Sequence, residues 1–438
     1  MGRAEQLTVY NVRSRKRIDP ALALLLAAFP LLLLIPIGHD QIWTLWIGRQ
    51  LLGGAQLCRD IIEVNPPLWF WMAVPQAAIG IPSPFAITGF CAAAIALSLW
   101  LIPPCYRLPS LAAFALLPLL DFGQREHFTL IATAPYVFLI AARATGQTVR
   151  HPLIIGVFAA FGFALKPHFA LVPIVLELLI WSERRLRPET LAIAACAILY
   201  AAAVVLFAPE YLTETVPMLL ETYGQIQGPS ILPFVLILFA VGGLALLRPS
   251  RTALMLLCAA LAYLLAMILQ GKGWSYHSVP ARGFLFLALA VELMRRPKLV
   301  QATLLTVAAL LCFLPTGVYR NPFRDEIEQH LMGFPRGTSV YAVSDNPMVA
   351  WPMIEDRGFK WASRQMSVWQ GVASREAARQ VIAESMIRKP RLVVLHGPSD
   401  LISLDGYRLH KRSERFVSYV RSARPVFLSS PVPRHERP

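Results

Sequence analysis

The sequence predicts an all-α polytopic membrane domain of about eleven spans with interfacial helices, followed by a small C-terminal α/β soluble domain. Three observations carry this. The 438 residues are 56% hydrophobic and only 15% charged, with mean hydropathy +0.53, outside the range of ordinary soluble domains. Apolar runs recur from residue 20 to residue 316, separated by short loops. Residues 318–438 then have ordinary polarity and carry 12 of the 26 acidic residues. The expected division is a basic cytoplasmic N-terminus at 1–19, a membrane domain at 20–317 and an extracytoplasmic α/β domain at 318–438.

The net charge of +15 does not call for nucleic acid, because many Arg and Lys lie in short loops between apolar runs, where they orient a membrane protein. The tail holds 19 Arg plus Lys against 12 acidic residues, a balance suited to an anionic membrane surface or acceptor. Of the six cysteines only Cys58 falls in an expected external loop and none is in the tail, so no disulfide framework is implied. The basic stretch from Arg13 to Arg17 precedes an apolar run, Ala21 to Ile37, that lacks a convincing small-residue cleavage site. It reads as a retained first span.

With the N-terminus inside, that span delivers His39 and Asp40 outside. The basic connections at 105–107, 143–150, 182–187, 248–251 and 295–298 are then expected in the cytoplasm. The connections at 121–127, 166–168, 209–230 and 271–277 follow as external. This parity requires that residues 67–81 not cross. The segment opens with Pro66-Pro67, contains Pro75, and at ~22 Å of helix is short of a ~30 Å hydrocarbon core. A re-entrant or interfacial helix is expected there. The spans are expected near 20–37, 84–103, 109–122, 128–143, 152–165, 167–181, 190–208, 231–247, 252–270, 279–294 and 299–317. In the tail, 338–343 and 391–396 read as buried strands and 375–387 as a helix between them.

Ionisable residues at membrane depth are costly and mark cavities, so each cluster is weighed against its bland alternative. Asp40 opens a segment, Gln41 to Leu52, with two Trp and one Arg, and could simply cap it. Asp121, Gln124, Arg125, Glu126 and His127 lie within seven residues between apolar runs, a solvated turn or a polar cluster turned into the bundle. Lys166 and His168 interrupt an apolar stretch, where Lys often only snorkels. Lys272, Tyr276, His277 and Arg282, with Trp274, suit an anionic headgroup with an apolar tail, or an interfacial aromatic anchor.

One well-placed carboxylate, a second acidic and His-bearing loop, and several cations on one membrane face are the inventory that chemistry on a lipid phosphate needs. A base takes a proton from an acceptor hydroxyl, and fixed positive charge stabilises the departing phosphate. No cofactor is demanded. Four His-bearing loops would permit a divalent metal ion, but no tight ligand spacing marks one.

These stretches resemble the GT-C glycosyltransferases, the superfamily holding the protein O-mannosyltransferases and the aminoarabinose transferase of lipid A. The residues that carry the resemblance are Asp40 after the first span, the segment Gln41 to Leu52 ending at Gly53-Gly54, and Arg59, Asp60, Glu63, Asn65, Pro66, Pro67 and Trp69. The resemblance implies a polyprenyl-phosphate sugar as donor and Asp40 as base. It implies Asp121 and Glu126 as candidates for a second acidic group. Where relatives carry an acidic residue directly after the base, this chain has Gln41.

The reading is an inverting hexosyl- or pentosyltransferase in the bacterial inner membrane, its active site extracytoplasmic. Asp40 is the expected catalytic base. His39, Asp60, Glu63, Asp121, Gln124, Arg125, Glu126 and His127 are the expected positioning residues. Lys166, His168, Lys272, Tyr276, His277 and Arg282 are the expected phosphate ligands. The acceptor is a lipid, polysaccharide or protein hydroxyl. The alternatives are a carrier or flippase for polyprenyl-linked saccharides, disfavoured by the lack of internal repeats, and a glycan ligase.

Overall fold

A computed structural model describes residues 19–180, 186–222, 230–246, 248–293, 321–351, 353–368, 375–396 and 401–422. The expected span 299–317 and the basic stretches 13–17, 182–185 and 295–298 lie outside these residues. The chain divides into two units, Met1–Arg320 and Asn321–Pro438.

The described part of the first unit is helical. In order come α1 (Pro20–Leu32), α2 (His39–Leu52), α3 (Leu68–Ala78), α4 (Ser83–Leu101), α5 (Arg107–Ala115), α6 (Arg125–Ala144) and α7 (Pro152–Ala164). They are followed by α8 (Leu171–Leu179), α9 (Pro188–Phe207), α10 (Val216–Thr222), α11 (Leu232–Ala245), α12 (Arg251–Gln270) and α13 (Val279–Leu293). Proline in the first turn starts α1, α4, α7, α9 and α11, where its missing N–H costs nothing. Asp19 caps α1 and Ser250 caps α12, each accepting from the first turn. Gly271, at φ 64°, closes α12 in the left-handed conformation that glycine adopts freely.

Among the described residues four helices, α4, α6, α9 and α12, are long and apolar enough to cross a membrane, which marks the first unit as a membrane domain. Their packing differs: 89% of the α6 segment is buried inside the protein against 11% for α9, so α6 is central and α9 peripheral. Small residues let the helices approach. A Cβ at Gly156 of α7 would lie 2.6 Å from the Glu189 carbonyl oxygen at the start of α9.

One expectation for this unit differs, and another agrees with the structure. The stretch 109–122 is not one helix; α5 has nine residues, ~14 Å, and gives way to a 3-10 turn, Leu119–Asp121, capped by Pro118. Residues 67–81 contain an eleven-residue helix, ~16 Å, too short to cross.

The connections sort to two ends of the helical unit. At one end Arg143 pairs with Glu189 (3.1 Å), Arg251 donates to the Ala144 carbonyl (2.7 Å), and the Ser250 N–H donates to Glu292 (2.8 Å). Arg107 pairs with Asp19 (2.5 Å) and the His151 ring stacks on Trp100 (4.8 Å) at the same end. The described basic connections expected together are thus together, with 182–185 and 295–298 outside the described residues. A twenty-residue helix separates this end from the other by ~30 Å, measured from Ala144 to Arg125 along α6.

The second unit is a small α/β module. Strands β1 (Ser339–Val343), β2 (Lys360–Trp361), β3 (Leu392–His396), β4 (Tyr407–Arg412) and β5 (Phe416–Arg421) form one sheet in the order β2-β1-β3-β5-β4. β1 pairs parallel with β2 and β3, whereas β5 pairs antiparallel with β3 and β4. The near-continuous burial of β1 and β3 is that of parallel strands covered on both faces. Helix Arg375–Ile387 makes the crossover from β2 to β3.

Candidate functional site

The end of the first unit opposite the basic loops gathers the polar residues. It is built from the start of α2, the turn 119–124 leading into α6, the α7–α8 connection, the loop between α12 and α13, and the segment 57–65.

Asp40 lies in the first turn of α2 and keeps a quarter of its side chain exposed. Its Oδ2 accepts from Gln124 Nε2 at 3.3 Å, and His39 Nε2 lies 3.3 Å from Oδ1. Buried Gln41 donates to the Phe122 carbonyl (3.0 Å), fastening α2 to the turn before α6. That turn requires Gly123: its φ is 82°, and a Cβ there would stand 2.9 Å from Ile87. His127 locks it. The Gly123 N–H donates to Nδ1 (3.0 Å), so Nε2 carries the proton and donates to the Phe114 carbonyl (2.8 Å). Both ring nitrogens are therefore spent on the protein's own backbone.

Behind Asp40 the charges are buried. Glu126, fully buried, pairs with Lys166 at 2.5 Å and lies 3.7 Å from His277 Nε2. Lys166 also donates to Gln270 at the end of α12 (2.8 Å), joining three connections through one ammonium. Arg125, 6% exposed, sits within electrostatic reach of Glu126, Tyr276, Asp40 and Glu63. Asp121 accepts from Ser275 (3.2 Å) and faces the charge of Arg282, whose Nε donates to Ser278 (2.9 Å). Burial pushes the Asp121 carboxyl up to about 7 against the pull of Arg282 and Ser275.

Glu63 accepts from Trp43 Nε1 (2.7 Å), the Val64 N–H (2.8 Å) and the Asn65 amide (2.8 Å). Burial raises its carboxyl above the usual range in spite of Arg125 and these bonds. Several buried polar atoms, Asp121 Oδ2, Glu126 Oε2 and His277 Nδ1, have no hydrogen-bond partner among the described residues. A polar interior of this kind takes up water or a polar ligand.

The structure thus brings together His39, Asp40, Glu63, Asp121, Gln124, Arg125, Glu126, His127, Lys166, His277 and Arg282. His168 borders Lys166, and its ring packs on Phe169 at 5.2 Å. Tyr276 packs edge-on to His277 at 4.4 Å, and Lys272 is on the same loop. Asp60 stands apart, its carboxylate closing a local exposed turn by accepting from the Gln56 N–H (2.8 Å). Contributors with no role in the sequence reading include Gln270, Ser275 and Ser278, and Gln41 enters it only as the residue standing where relatives carry an acid. Among the described residues no group of three His, Cys, Asp or Glu side chains is placed to hold a metal ion.

Fold and site together define a membrane protein with a charged, largely buried cluster at one end of its helices. No protein-family model matches the chain, and no curated protein matches it.

Proposed function

We propose that the chain is an inverting glycosyltransferase of GT-C type that moves a sugar from a polyprenyl-phosphate donor to an acceptor hydroxyl at the extracytoplasmic face. The observation that carries this reading is the contrast within one cluster: Asp40 keeps solvent access, whereas Arg125 and Arg282 behind it are 6% and 0% exposed. An accessible carboxylate suits a base, and desolvated guanidinium groups suit a departing phosphate.

In this mechanism Asp40 takes the proton of the acceptor hydroxyl as its oxygen attacks the anomeric carbon. The bond from that carbon to the phosphate oxygen breaks, and its electron pair leaves on the phosphate. Gln124 holds Asp40 in place through the 3.3 Å hydrogen bond. Arg125 and Arg282 are the proposed phosphate partners, as guanidinium groups whose planar donors match phosphate oxygens.

The test is incubation of the purified chain in nanodiscs with a panel of radiolabelled polyprenyl-phosphate sugars and a membrane extract. Transfer of one label to a lipid, polysaccharide or protein is the expected result. Movement of label across the bilayer without transfer would favour a carrier instead.

A further inference from the structure

The sheet of the second unit is covered unequally. One row of directly paired residues crosses it from Tyr341 on β1 through Val393 on β3 and Tyr419 on β5 to Leu409 on β4. Paired residues share a face, so all four side chains stand on one side. Tyr341 and Val393 are 1% and 0% exposed, and the Tyr341 hydroxyl lies beside Ser385 of the helix Arg375–Ile387, which covers this side. The cover then ends: Tyr419 is half-buried and Leu409 is 56% exposed. A second row repeats the pattern, with Val343 and Leu395 buried, Val417 half-buried and Arg412 exposed. The other side of β5 is closed, since Phe416 and Ser418 are buried and Ser418 meets His330 of the helix Arg324–Leu331 (2.8 Å).

Half of one sheet face, over β5 and β4, is therefore bare. Its centre is apolar and aromatic, Leu409, Val417 and Tyr419, and the pairs Tyr407–Arg421 and Arg412–Val417 put an arginine at each end. Strands β4 and β5 carry four Arg or Lys and no Asp or Glu; Asp405 and Glu414 lie in the turns before and after β4. Arg412 makes no ion pair among the described residues, and Arg421, also exposed, donates only to the Lys389 carbonyl (2.7 Å).

A second copy of the chain suits this face poorly. Two such faces would bring arginine against arginine, and the cations and the register break between Leu409 and Lys411 oppose pairing along the β4 edge. An anionic bilayer suits it well. Arginine meets lipid phosphate, tyrosine rings sit at headgroup depth, and a leucine between them reaches the acyl boundary. The second unit is also joined through the chain to a membrane domain, so lipid is always near at high effective concentration and a weak intrinsic affinity suffices.

We propose that the open face of the β4–β5 hairpin docks on an anionic lipid surface through Arg412, Arg421, Tyr419 and Leu409. The proposal stands apart from the transferase reading, because a carrier could use the same contact.

Photo-crosslinking of the full chain in nanodiscs tests it, with p-benzoylphenylalanine in place of Leu409 and mass spectrometry to identify the adducts. Lipid adducts should form in discs containing phosphatidylglycerol and fall about fivefold or more in discs of phosphatidylcholine alone. Arg412→Gln should lower the yield in the anionic discs by about fivefold, with amide protection of β5 reporting that the module stays folded. The same probe in place of Met332, which is 54% exposed after the helix on the other side of the sheet, should give few adducts. Five results would each overturn the proposal: no lipid adduct at position 409, equal yields in the two lipids, equal yields at 409 and 332, no effect of Arg412→Gln, or adducts that join two copies of the chain. Asp40→Asn should leave the adducts unchanged, so this contact and the transferase reading fail separately.

Discussion

Glu126 and Lys166, forty residues apart in sequence, form an ion pair at 2.5 Å in which the carboxylate is fully buried. Taking two charges out of water is repaid only when both are present. Lys166→Met should therefore cost about 3–5 kcal/mol of stability, and Glu126→Gln in the same chain should recover most of it. Thermal unfolding of the single and double variants in one detergent checks this; a double variant as unstable as Lys166→Met would show that the pair is not coupled.

His127 spends both ring nitrogens on backbone groups of Gly123 and Phe114. His127→Phe keeps a ring of similar size but strands a buried N–H and a buried carbonyl, each costing about 1–3 kcal/mol. Amide hydrogen exchange at Gly123 should accelerate in this variant. Unchanged exchange there would mean the turn is held by other contacts.

Gly156 and Gly283 separate two kinds of close approach. A Cβ at Gly156 meets backbone, the Glu189 carbonyl oxygen and Cα at 2.6 and 2.8 Å, and backbone cannot yield cheaply. A Cβ at Gly283 meets the tip of the flexible Leu130 side chain. Gly156→Ala should cost about 1–3 kcal/mol and Gly283→Ala less. Thermal shifts of the two variants in parallel provide the measurement, and the reverse order would contradict the packing described.

In the second unit Glu326 accepts from Ser413 Oγ (2.5 Å), the Arg415 N–H (2.7 Å) and Arg415 Nε (2.7 Å). Burial opposes the charge, but these bonds outweigh it and hold the carboxyl down to about 2. A depressed carboxyl stabilises the fold above the ordinary carboxylate range, about 4.5, and loses that contribution as pH falls through its folded value. Protection factors in the β4–β5 hairpin should fall between about pH 4.5 and pH 2, and Glu326→Gln should flatten that dependence. An identical pH profile in the variant would remove Glu326 from the account.

Much of this architecture is legible in the residues themselves. Apolar runs bounded by Pro, Gly and basic clusters locate the helices, and parity of the basic loops groups 105–107, 143–150 and 248–251 at one end. Buried strands stand out as β-branched runs at 338–343 and 391–396. The stretch 109–122 misleads because Pro118 and the turn after it sit inside an apolar run, where hydrophobicity alone does not report a break. Within the site, ionisable residues stand out against apolar neighbours, which is why Asp40, Glu126 and His277 are visible. Their partners are not: Gln270 and Ser275 are uncharged, and nothing local distinguishes them from ordinary helix-end polar residues. Nor does sequence reveal that His127 and Lys166 are consumed internally, since that depends on backbone groups and side chains brought in by the fold. Asp60 resembles its neighbours in type but serves a local turn.

The central claim is that Asp40 is the base of a glycosyl transfer, and the most direct measurement compares wild type with Asp40→Asn and Asp40→Glu in nanodiscs loaded with the labelled polyprenyl-phosphate sugar that wild type accepts. The amide keeps the hydrogen-bonding shape of the carboxylate beside Gln124 but cannot take a proton. Transfer should fall by about 10²–10⁴-fold in Asp40→Asn, with the variant folded and inserted, and should recover in part in Asp40→Glu. Near-normal transfer by Asp40→Asn would contradict the assignment outright.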